Sequence, residues 1–278
     1  MAFFRQFPKT GYDFESNGVI TKIIDIFRTV RTDSVFLDDM STYQYFQVRN
    51  GERPDVVSNI LYGTPEYYWT FFVINEHLKT GLSGWPMGTT EFEDYIRLEY
   101  SGTVIDTEPN VFKSPDGTLV RYDNSLAGRF KIGEIITGNS SLATGILKEK
   151  NVPMSQLILG SVSGNFKGSF NPETSERETE VITGATSGSN VVTSLAYKHR
   201  DAPHHYEDPN GLEMYNSRFI NERLTIAGIQ SNAADFSLTP VSYYEYELQL
   251  NEERGNIRIV RPNVIYQFAQ VFGKLINE

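Results

Sequence analysis

Three of the four histidines in the chain fall close together, His199, His204 and His205, with Asp201, Glu207 and Asp208 among them. Imidazole and carboxylate are ordinary ligands for divalent transition metals, so a metal site is the sharpest chemistry this sequence offers. The spacing argues against it. There is no HExxH, no histidine pair four residues apart on a helical pattern, and no second histidine cluster elsewhere. Residues Ala202 to Gly211 are polar and turn-rich, and they read as a solvated loop. Paired carboxylates occur at Asp38 and Asp39, Glu91 and Glu93, and Glu245 and Glu247. General acid–base work would need one of a pair buried with a raised pKa. With 35 acidic residues against 25 basic ones, such pairs arise readily, and Glu245 and Glu247 fall on one exposed face of an alternating stretch. The motifs GxSxG, GxxxxGK[ST] and GxGxxG do not occur, and the glycines of the middle region separate strand-like runs, so phosphate cradling is not expected. The chain has no cysteine, which excludes disulfides, thiol catalysis and cysteine-ligated metals. No catalytic residue, no metal ligand and no cofactor is expected.

Bulk properties narrow the partners. A net charge of −10 argues against a nucleic-acid-binding surface. No apolar run approaches the ~20 residues needed to cross a bilayer, and the opening MAFFRQFPKTGYDF lacks the apolar core of a signal peptide. Neither nucleic acid nor membrane is therefore expected as a partner. The 16 tyrosines and 18 phenylalanines supply core rings and interface anchors alike, which favours protein contacts modestly.

The most locally specified stretch is Asn50 to Trp85. Pro54 to Tyr62 has the pattern of a short helix with Val56, Val57, Ile60 and Leu61 on one face. Gly63 suits a left-handed C-terminal cap, Thr64 an N-cap, and Pro65 the first position of a second helix running to Glu76. Trp69, Phe72 and Val73 repeat along that second helix, flanked by Tyr68 and Phe71. Two helices this short cannot bury enough surface to offset chain ordering, so they must lean on strands or on another protein. Tyr43 to Arg49 alternates as a strand leading into them, Thr89 to Tyr100 has helical spacing, and residues 1–18 read as an arm or lead-in strand. Val19 to Arg31 favours a strand through its β-branched residues.

From Gly102 to Leu195 the composition turns to Gly, Ser, Thr, Val and Ile in short runs, with a turn signal at Pro115-Asp116-Gly117. Glu134-Ile-Ile-Thr-Gly-Asn-Ser-Ser141 recurs as Glu180-Val-Ile-Thr-Gly-Ala-Thr-Ser187, each followed by an apolar pair, and a middle stretch from Leu157 to Phe170 reads as a divergent strand set of the same kind. Strand, turn and strand, twice over, predict a small barrel or sandwich. Tyr243 to Leu250 alternates as a strand, Asn256 to Val260 is a second, and Asn263 caps a final amphipathic helix through Phe268, Val271, Phe272 and Leu275. The fold class read from these patterns is α+β. Its domains are an arm and helical module at 1–101, a β-rich insert at 102–196, and C-terminal strands with a helix at 197–278.

At Asn50 to Trp85 the residues carry a family likeness. A strand, a helix, a Tyr-Gly turn, a second helix and Asn75 resemble the βααβ LysM module. More specifically, Arg53-Pro54, Ile60-Leu61-Tyr62-Gly63, Pro65, Tyr68-Trp69, Asn75 and Gly84-Trp85 resemble the LysM-like baseplate wedge subunit of T4-like contractile-tailed phages. Asp25-Ile-Phe-Arg28 and Arg258-Ile-Val-Arg261 are similar to that family's ends, and the Gly/Thr repeats resemble structural proteins of marine phages. The resemblance implies a structural subunit of the virion, assembled in the host cytoplasm. It would join or clamp wedge proteins around the tail hub, with other wedge proteins, neighbouring wedges and sheath-proximal baseplate proteins as partners. It also implies that Arg53, Tyr62, Tyr67, Tyr68, Trp69, Asn75 and Trp85 form the partner interface. The residues alone leave Tyr62 and Trp69 equally readable as core, and Arg53 and Asn75 as cap or turn residues; exposed aromatics favour interface for Tyr67, Tyr68 and Trp85. A peptidoglycan-binding LysM module is the alternative reading, and a tail hydrolase a third.

Overall fold

A computed structural model describes residues 7–25, 41–107, 110–113, 120–123, 125–170, 177–215 and 238–277. In chain order the strands are β1 (Lys9–Tyr12), β2 (Thr21–Ile24), β3 (Tyr43–Gln47), β4 (Thr103–Thr107), β5 (Asn110–Lys113), β6 (Val120–Asp123), β7 (Ile135–Gly138), β8 (Thr144–Asn151) and β9 (Gln156–Ser163). They continue with β10 (Ser169–Phe170), β11 (Arg177–Glu178), β12 (Val181–Gly184), β13 (Asn190–Lys198), β14 (Pro203–Glu207), β15 (Glu213–Met214), β16 (Thr239–Ser242) and β17 (Asn256–Val260). The α-helices among the described residues are α1 (Pro54–Tyr62), α2 (Trp69–Ile74), α3 (Thr89–Glu99), α4 (Tyr243–Gly255) and α5 (Ile265–Leu275). The fold is mixed α+β, as the residue patterns indicate, and its β-rich part is a closed barrel. Residues 26–28 of the Asp25–Arg28 segment and the turn at Pro115–Gly117 lie outside the described residues.

The chain divides into two compact units: residues 1–92 with 249–278, and residues 93–248. In the first, β3 pairs antiparallel with β17, Tyr43 opposite Val260 and Gln47 opposite Asn256, so a strand from the C-terminal end completes the sheet beside the helices. Local chemistry sets the bounds of α1. Pro54 opens it, where the missing N–H has no intrahelical partner to lose, and Gly63 closes it at φ 71°, a left-handed conformation that costs glycine nothing. The second helical stretch is broken rather than continuous. Thr64 caps a single 3₁₀ turn at Pro65–Tyr67, α2 follows, and Asn75 stands in extended conformation before a further 3₁₀ turn at Glu76–Leu78. The last helix begins after Val264, not at Asn263, and has no side-chain cap.

The second unit contains the barrel, ordered β12-β13-β4-β9-β8-β7 and closed on itself. Its interior is filled by Ile105, Phe130, Ile136, Leu147, Leu157, Leu159, Phe166 and Ile182, among others. The two repeats lie side by side, with Thr137 of β7 opposite Thr183 of β12. Each repeat supplies a buried glutamate that holds the other's turn. Glu134 accepts from the amides of Thr186 and Ser187 and from the Ser187 hydroxyl; Glu180 accepts from the amides of Ser140 and Ser141 and from both their hydroxyls. Each also accepts from a lysine amide that follows a buried phenylalanine, Lys131 after Phe130 and Lys167 after Phe166. A Cβ on Gly184 would come within 2.8 Å of the Glu134 carboxylate, so the Thr-Gly of the repeat is what lets the acid approach. Burial pushes both carboxyls up, but these donors outweigh it and hold both below the usual range.

Candidate docking site

The sites that first suggested chemistry come out differently from the sequence reading. The Ala202–Gly211 stretch is no solvated loop: Pro203–Glu207 is β14, paired with β15 and β16, and His199 and His205 are buried. His199 meets the Tyr100 and Tyr243 rings edge-on, and His204 stacks on Tyr246 with centroids 3.9 Å apart. The Nδ1 atoms of His204 and His205 are 2.9 Å apart, so at least one of the two rings is neutral. Burial lowers the His199 pKa to about 4 and lowers that of His204 as well. Among the described residues no group of three or more His, Cys, Asp or Glu is arranged to hold a metal ion.

Tyr243–Leu250 is helix, not strand. Ser242 and Glu245 form a reciprocal capping box, the Glu245 amide donating to the Ser242 hydroxyl and the Ser242 amide donating to the Glu245 carboxylate. With the helix in place Glu245 and Glu247 part company: Glu245 stays in its cap, while Glu247 is buried and accepts from the hydroxyls of Tyr95 and Tyr100. This pair is a structural bracket.

The seven residues that the family likeness marks as interface all lie in the first unit, and four are internal ties. Trp69 is buried against Phe268 and Phe272 of α5, at centroid distances of 6.2 and 4.6 Å. Asn75 behaves as a spare peptide group: its amide donates to the carbonyls of Phe71 and Arg258 and its oxygen accepts from the Arg258 amide. That explains why α2 stops at Ile74. The Tyr62 hydroxyl donates to the Val260 carbonyl at 2.8 Å, and burial pushes its pKa up. The buried Trp85 indole donates to the Glu52 carbonyl. Tyr67 and Tyr68 are half-buried, Tyr67 edge-on to Tyr62 and Tyr68 edge-on to Phe72. Arg53 is the outward member, its side chain 78% exposed and 3.3 Å from Asp55.

Exposed apolar side chains lie elsewhere in this unit. Phe7 is buried with Trp69, Phe268 and Phe272, and directly after it β1 and β2 form a two-stranded hairpin. On that hairpin Tyr12 is exposed, as are Phe14 (65%), Val19 and Ile20 (71%). On α1 the apolar pattern splits: Val57 is fully buried, whereas Val56 and Ile60, one helical turn apart, face outward at 45% and 57%. Tyr45, Leu82 and Tyr266 are exposed as well. Part of the signal for the hairpin was in the sequence, since the β-branched run Val19–Ile24 follows Asp13–Gly18, whose Asp13 carboxylate caps the turn at Asn17 and Gly18. Among the described residues no third strand joins it, and nothing local could show that.

No helix among the described residues is long and apolar enough to cross a membrane. No curated protein matches the chain. Over residues 1–102 the chain matches the family model described as base plate wedge protein 53.

Proposed function

We propose that this protein joins or clamps wedge proteins around the hub of a contractile phage tail baseplate, and that its first unit does so on a LysM-like frame. The order strand, helix, helix, strand, with β3 and β17 antiparallel, supports the frame. The observation that carries the docking reading is the β1–β2 hairpin with its exposed Tyr12, Phe14, Val19 and Ile20. A two-stranded hairpin is marginal alone in water, and exposed large apolar groups on it are what a partner surface would cover. Arg53, Val56 and Ile60 extend the docking surface along α1, and Tyr67 and Tyr68 contribute their open edges. Tyr62, Trp69, Asn75 and Trp85 act through the frame by fixing α1, α2 and β17. The family match points to a non-enzymatic structural protein, and assembly takes place in the host cytoplasm before the particle is released. Replacing Phe14 and Ile20 together by serine tests the reading. The purified protein keeps its melting temperature and fails to enter baseplates; normal baseplates from that variant would overturn the docking role. Saturable binding of purified peptidoglycan by the intact chain would favour the glycan-binding alternative instead.

A further inference from the structure

Against the β3–β17 pair lies a pocket of about 80 Å³ lined by Tyr43, Ile74, Arg258, Val260, Val264 and Phe268. Its lining is mostly apolar, and the polar residues in it are Arg258, Tyr43, Thr42 and Gln267. Arg258 is held in place by rings, with its guanidinium carbon 5.3 Å from the Tyr43 centroid and 5.9 Å from that of Tyr45. Among the described residues no carboxylate pairs with it. Ring contacts of this kind do not use up a guanidinium's N–H donors, and those donors bind a carboxylate bidentately. An open cation in an apolar pocket, on a chain of net charge −10, complements an acidic group with an aliphatic neighbour. The volume sets the size of that neighbour. A cavity of ~150 Å³ accepts benzene, so about half of that is filled by a branched aliphatic group.

We propose that this pocket binds a partner-protein segment presenting one branched aliphatic side chain beside a carboxylate, the aliphatic group filling the cavity and the carboxylate pairing with Arg258. That the segment belongs to another baseplate protein rests on the function proposed above; the pocket's chemistry does not, and the two fail separately. The test uses the full chain with labelled isoleucine and valine methyls and two probes, 4-methylpentanoate and the neutral 4-methylpentan-1-ol. The carboxylate is expected to shift the methyls of Ile74, Val260 and Val264 saturably in the range of tens of millimolar, as suits so small a ligand. It should bind about fivefold more tightly than the alcohol. In Arg258→Met, with tryptophan emission unchanged, that preference disappears. Equal binding of the two probes, or no saturable shift at those methyls, would overturn the proposal. Should Arg258→Met fail to fold, the ratio between the probes in the native protein decides alone.

Discussion

The two units of this chain are built on opposite plans. The barrel is assembled around its repeats: β7–β8, β8–β9 and β12–β13 join neighbours in sequence, the two repeats start 46 residues apart and pair through β7 and β12, β4 closes the ring between β9 and β13, and the buried acids staple one repeat's turn from the other. The first unit is assembled from the ends of the chain. Tyr43 pairs with Val260, Asn75 bonds to Arg258, and Trp69 stacks on Phe268. Residues 1–102, the part that matches the wedge family, therefore hold the helices and one strand of a frame whose second strand and packing helix lie beyond residue 255. A frame closed from afar has its surfaces set by few ties, and it is also the unit that carries the exposed aromatic hairpin. A self-stapled barrel depends on buried charge and should respond to acid.

Both tryptophans, Trp69 and Trp85, belong to the first unit, so their emission follows it alone while the tyrosine near-ultraviolet signal is dominated by neither. The largest expected effect comes from deleting 256–278. Loss of β17 and α5 abolishes the cooperative tryptophan transition, and the barrel transition seen by calorimetry persists. Retention of both transitions would break the comparison. Next is Trp69→Ala, which empties a stacked ring site and costs about 3–5 kcal/mol in the first unit only, measured by denaturant unfolding. Third, Glu134→Gln or Glu180→Gln removes charge-assisted bonds that a buried carboxylate makes to a turn and costs about 1.5–3 kcal/mol in the barrel. The same acids give a pH signature. Their folded pKa values lie below the usual 4.5, so the stability they contribute is present above that pH and is lost as pH falls through the folded values. The barrel transition should drop below about pH 4.5 and do so less in the glutamine variants.

A smaller effect, in the same unit, comes from His199. Its pKa falls from 6.5 to about 4 because burial disfavours the cation, so the unfolded chain binds the proton first. Stability is complete above pH 6.5 and declines as pH falls toward 4, by about 2 kcal/mol at pH 5. His199→Phe should flatten that slope and melt higher than the parent at pH 5. Smallest is Arg53→Ala: an exposed ion pair contributes less than about 0.5 kcal/mol, and its loss should leave both transitions in place.

What the sequence disclosed follows the same division. The bounds of α1 were legible because Pro54 and Gly63 act within one turn, and β17 because its alternation is bounded by Gly255 and Arg261-Pro262. The barrel was foreshadowed by its repeat, although nothing local marks the carboxylates heading each copy as buried, because the turn each one caps belongs to the other copy. Tyr243–Leu250 reads as a strand because alternating aromatics imitate one, but it is helical; the Ser242–Glu245 box is the better signal. The outward turn of Val56 and Ile60 and the internal roles of Trp69 and Asn75 depend on β17 and α5, more than 180 residues away, and no local pattern carries that.

The central claim is that the hairpin, rather than the buried aromatics of the frame, makes the docking contact. The most direct measurement is electron microscopy of particles from a phage encoding Phe14→Ser with Ile20→Ser, alongside melting of the purified variant. The account predicts an unchanged tryptophan transition and particles whose baseplates are incomplete. Complete baseplates, or a first unit that no longer melts cooperatively, would contradict it.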